Sequence, residues 1–149
     1  MNRTRTARKF GSLLALMLLA PVAVQAQGLQ PLTLEMEDNA DLPYVLHRCG
    51  GLYLSTLEWV GEDRMGTEQT QAYKNLGLLF IASATDAQGD DDDGTAQQQV
   101  LERMREMADL YLYRYQTLFT ASGLDITEDG LWNSDLETCA VIANGADDG

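Results

Sequence analysis

The chain has 149 residues, with two cysteines, one histidine and three prolines, which excludes a cysteine-dense scaffold, a zinc finger and a collagen-like repeat. At 45% hydrophobic and 22% charged residues it has the balance of one folded domain rather than of a disordered chain. A formal net charge of −13 argues against nucleic acid as a partner, because holding phosphates takes clustered Lys and Arg.

Residues 1–26 read as a secretory signal. Arg3, Arg5, Arg8 and Lys9 precede an apolar run, FGSLLALMLLAPVAV, and the small residues Val24 and Ala26 place cleavage after Ala26. Fifteen residues of helix reach only about 22 Å, short of the ~30 Å needed to cross a hydrocarbon core. There is no Arg-Arg pair for twin-arginine export and no cysteine at the cleavage point for a lipid anchor. The expected address is the bacterial periplasm or the exterior, with no membrane association after cleavage. Cleavage removes four of the ten basic residues and no acid, leaving 6 against 23 and a net −17. Such a surface repels DNA and anionic lipid and attracts cations and basic proteins.

Cys49 and Cys139 are the only thiols. An even count in an oxidising compartment predicts a disulfide. Neither sits in a Cys-x-x-Cys motif or among cations that would activate it, so the expected role is structural.

Residues 27–40 form an acidic lead-in, and the body is expected to span 41–146. In the lead-in Leu32, Leu34 and Met36 alternate, so the segment reads either as an extended strip laid on the body or as a free arm. A first helix is predicted over 42–60, capped by Asp41 with Pro43 in its first turn. Steps of 100° gather Val45, Cys49, Leu52, Tyr53, Thr56, Leu57, Trp59 and Val60 on one arc, and leave His47, Gly51, Leu54 and Glu58 opposite. The Gly50-Gly51 pair points to a close helix approach or a kink.

A second helix is predicted over 67–84, capped by Thr67. Its half LGLLFIASA is apolar on nearly every side, so it reads as the central, twice-covered helix; otherwise it offers Leu78 and Ile81 to a partner. Residues 85–94, with four consecutive Asp, form a loop.

The third helix, 95–122, carries an inner stripe of Val100, Met104, Met107, Tyr111, Tyr115 and Leu118, widened by Leu101, Ala108, Leu112 and Phe119. Its outer face pairs Arg105 with Asp109, and Gly123 ends it. Tyr113 falls on that outer face, a position from which an aromatic can anchor a partner. A fourth helix is predicted from Ser134 to about Asn144, opened by a Ser134–Glu137 capping box, with Leu136, Cys139, Ala140 and Ala143 inward. Four helices with short links predict an all-α antiparallel four-helix bundle, with one disulfide joining the first and last helices.

Cofactor chemistry finds little footing. Covalent haem needs Cys-x-x-Cys-His, which is absent; non-covalent haem would take His47 with Met104 or Met107, but the helical phase turns His47 outward. A di-metal carboxylate site needs Glu-x-x-His, also absent. Asp125, Thr127 and Asp129 before Gly130 resemble the start of a calcium loop, although Leu136 stands where a bidentate Glu belongs. No serine has a nucleophile-elbow context, and His47 beside Arg48 reads as a surface residue. No cofactor and no catalysis are expected. The expected role is contact with a protein partner, a basic one by charge complementarity, as inhibitor, immunity-type antagonist, accessory subunit or chaperone. The alternatives are a calcium-binding protein and a haem or metal bundle.

Overall fold

The structure, a computed structural model, describes residues 28–89 and 94–146. The expected signal segment 1–26 with Gln27, the run Asp90–Asp93 and the last three residues lie outside the described residues. Of the described residues 86% are helical and none is in a strand. The described residues form six α-helices: α1 (Leu32–Glu37), α2 (Leu42–Val60), α3 (Glu62–Met65), α4 (Thr67–Gln88), α5 (Thr95–Ser122) and α6 (Gly130–Ala146), with a 3₁₀ turn at Ile126–Glu128. Among the described residues no helix is long and apolar enough to cross a membrane.

The boundaries of α2 and α5 follow their caps. The Asp41 carboxylate accepts the Tyr44 N–H at 2.8 Å at the start of α2. Gly123 ends α5 at φ 71°, a left-handed conformation that costs glycine no Cβ clash, and its N–H donates to the Phe119 carbonyl.

Four expectations are corrected. The lead-in is neither extended nor free: residues 32–37 are helical and pack on α6, with Leu32 wholly buried. Thr67 is the first residue of α4, not its cap, and donates instead to Glu62. The last helix starts at Gly130, because Asp129 accepts the Leu131 N–H at 3.1 Å; Ser134 and Glu137 lie inside it, and the capping box forms between Asp125 and Glu128 of the 3₁₀ turn. Finally α2, not α4, is the central helix, packing on both α4 and α5 and also on α6.

That centrality explains the unbroken burial in the first half of α2. Val45–Tyr53 are consecutively buried, including Arg48 and also His47, which the helical phase placed outside. The supposed outer arc of α2 is its seam with α5. Gly51 makes the seam possible: a Cβ there would stand 2.9 Å from the Ala108 nitrogen and 3.0 Å from the Met104 carbonyl oxygen. On the other seam Tyr53 meets Tyr73 edge-on at 5.2 Å and stacks on Phe80 at 5.8 Å. Of the residues expected to widen the inner stripe of α5, Leu101 and Phe119 are exposed instead.

Gly51→Ala should destabilise the protein by about 1–3 kcal/mol, because backbone rather than a flexible side-chain end opposes the new methyl. Gly77→Ala in α4 should stabilise it by about 0.5–1 kcal/mol, because a Cβ there meets nothing within 4 Å and helix propensity favours alanine. Urea denaturation of the two variants checks both signs.

Candidate functional site

The predicted disulfide is present: Cys49 of α2 and Cys139 of α6 are bridged, with Cα atoms 5.5 Å apart and both residues fully buried. Beside it lies the most concentrated polar chemistry in the described residues, a charged cluster under the lead-in. Arg48 is its centre and is fully buried. Its Nη2 lies 2.6 Å from Asp135 Oδ2, and Nε donates to the same oxygen at 3.2 Å and to Tyr111 Oη at 3.0 Å. The Tyr111 hydroxyl donates to Asp135 in turn. Nη1 pairs with Glu35 at 2.8 Å and donates to Tyr44 Oη at 3.2 Å; the Tyr44 hydroxyl donates to Glu35. Nη2 also donates to the Gln30 carbonyl, and the Leu32 N–H donates to Asp135 Oδ1 at 2.7 Å.

One guanidinium thus joins the lead-in, α2, α5 and α6. Burial alone would lower the Arg48 pKa, but Tyr111 and Asp135 outweigh it and hold the guanidinium firmly charged. Burial is also the main reason the Tyr111 phenol is pushed well up, with the Asp135 carboxylate adding to it. These groups act on one another, and Asp135 and Tyr111 expose nothing to solvent. Sequence reasoning missed the cluster. The usable signal was the Gly50-Gly51 pair, which implies a second packed face on α2 and so a buried neighbour at position 48.

His47 is 8% exposed with an unbonded Nε2, and burial, then the nearby Arg103, lowers its pKa and favours the neutral ring. Met104 fills the space over Gly50 and is fully buried, and Met107 is half-buried against Gly51. Of the proposed calcium-loop residues, Asp125 accepts from the Thr127 N–H and hydroxyl, each at 3.2 Å. Asp129 is held bidentately by Arg114, both contacts at 2.7 Å. Burial would raise the Asp129 carboxyl, but Arg114 and the α6 N-terminus outweigh that and lower it. The two carboxylates therefore serve different partners.

The candidate contact residues lie on two surfaces. Leu78 on α4 is 63% exposed, whereas Ile81 is half-buried and packs against the core. Both line two grooves: one of about 460 Å³ with Ala82, Asp86 and Ala96, and one of about 300 Å³ with Leu54, Leu57 and Lys74. Tyr113 on α5 is 68% exposed, as its helical phase predicts. In comparisons with known proteins, no family model, curated protein or solved structure matches the chain.

The buried phenols make a further expectation. Burial, with Tyr73 adding, pushes the Tyr53 phenol up to about 12 from 10.0, and burial raises Tyr115 as well. A raised folded pKa contributes stability that is fully present below the unfolded value of 10.0 and is lost as pH rises through the folded value. Stability should therefore fall steeply between pH 10.0 and about 12. The part of the tyrosinate absorbance that Tyr53, Tyr111 and Tyr115 contribute should develop together with loss of helix signal, rather than before it.

Proposed function

We propose that this is an exported, acidic, helical protein that works by gripping a basic protein partner and performs no catalysis of its own. In this reading the segment 1–26 is removed on export, and the four long helices α2, α4, α5 and α6 run up and down as an antiparallel four-helix bundle. The bridge between α2 and α6 then holds that bundle in an oxidising compartment. Inhibitor, immunity-type antagonist, accessory subunit and chaperone are the roles of this kind.

The observation that carries the reading is Leu78: a large apolar side chain, 63% exposed, set between two grooves on a chain with 23 acids against 10 basic residues. An apolar anchor on a strongly acidic body suits a partner segment that is basic and amphipathic, since charge steers the encounter and apolar burial holds it. The most concentrated polar cluster is enclosed, which supports a role for it in architecture rather than in turnover. Affinity capture from a periplasmic extract tests the reading. A basic partner should be retained at low salt, weakened at high salt, and lost with Leu78→Glu. Equal retention by wild type and Leu78→Glu would refute it.

A further inference from the structure

We propose that the groove between α2 and α4 beside Lys74 binds a small apolar carboxylate, the anion of a medium-length fatty acid. The groove holds about 300 Å³, at the lower end of the ~300–1,000 Å³ typical of small-ligand sites and too small for a protein-sized interface. Leu54 and Leu57 of α2 wall one side, and Leu78 and Ile81 of α4 the other. Gly77 is buried, yet a Cβ added there would meet nothing within 4 Å, so the missing side chain keeps the hollow open. From Lys74 to Ile81 the helix rises about 10 Å, room for an acyl chain of medium length.

Charge selects the occupant. Every arginine among the described residues holds a carboxylate, from Arg48 in the buried cluster to Arg64, Arg103, Arg105 and Arg114 nearer the surface. Lys74 is the one basic side chain among the described residues with no acidic partner, on a chain with 23 acids. No Asp or Glu lines its groove, and within residues 69–85 of α4 it is the only charged residue. Glu58, next to Leu57, is engaged by Arg105 of α5. The chain as a whole repels anions; beside Lys74 that repulsion is locally reversed, next to an apolar trough.

The two grooves beside Leu78 therefore differ in kind. One carries Asp86, which suits a basic partner, and the other carries Lys74. The ligand proposed here shares the Leu78 wall with that partner, but does not depend on the partner's existence.

Isothermal titration of the purified protein with octanoate and with octyltrimethylammonium, which share an apolar chain and differ in the sign of the charge, tests the proposal. Octanoate should bind about fivefold more tightly, the margin of one solvent-accessible ion pair. Lys74 is exposed and unpaired, so Lys74→Glu should keep the helix signal and reverse the order, whereas Lys74→Arg should preserve it. Gly77→Leu should fill the hollow and weaken octanoate binding at least tenfold. A wild type that ignores octanoate or prefers the ammonium overturns the proposal, as does a Lys74→Glu protein that binds octanoate as before. Octanoate binding unchanged in a folded Gly77→Leu protein overturns the location. Retention of a basic partner by Lys74→Glu, with Leu78 still in place, separates this ligand from that partner.

Discussion

Asp135→Leu should destabilise the protein by about 3–5 kcal/mol, among the largest effects expected of any single substitution in this chain. The loss comes less from the missing attraction than from what stays behind. Arg48 keeps its charge in a fully buried position, with only the half-buried Glu35 to balance it, and the Leu32 N–H loses its acceptor. Replacing both partners, Arg48→Met with Asp135→Leu, should recover much of that loss, since a buried ion pair is costly to break and cheap to replace with apolar volume. Urea titrations of wild type, the two single variants and the double variant supply the coupling directly. A loss below about 1 kcal/mol for Asp135→Leu would mean that water reaches the cluster.

The second large effect belongs to the disulfide. Replacing Cys49 and Cys139 together with alanine should cost about 4–5 kcal/mol, because the bridge closes a loop with a sequence separation of 90 and removes that freedom from the unfolded chain. A domain of this size has a total stability of about 5–15 kcal/mol, so the unbridged protein should be marginal at physiological temperature. Thermal melts with and without reductant should reproduce the difference without any substitution. Equal midpoints in both conditions would place the stability of the fold elsewhere.

These two contacts differ in how readily they could be foreseen. The bridge follows from counting thiols and from the inward phase of Cys49 and Cys139, each read along its own helix. Helix ends were legible where a side chain or a glycine marks them, as at Asp41 and Gly123. The last helix was mis-set because Ser134–Glu137 offers a capping pattern of its own, whereas the true start is marked by Asp129, which accepts the Leu131 N–H.

His47 was placed on the surface for a single reason. An amphipathic reading assigns each helix one buried face, and α2 is buried on several. Polarity marks a solvated position only when the helix has a solvated side. The short α1 was missed because only Leu32 of its three large apolar residues is buried; Leu34 and Met36 remain exposed, and polar groups rather than apolar periodicity hold it. For α4, a run that is apolar all round suggested burial on every side, yet Leu78 faces out.

The distribution of the Arg48 contacts along the chain has a consequence for assembly. Arg48 is made early by the ribosome and Asp135 late, 87 positions downstream. Until the final helix emerges, the guanidinium has every reason to stay hydrated, and the lead-in has no Asp135 on which to dock. Docking of the lead-in is thereby deferred until α6 is in place, when one arrival supplies the counter-ion, the second sulfur and the floor beneath Leu32 at a stroke.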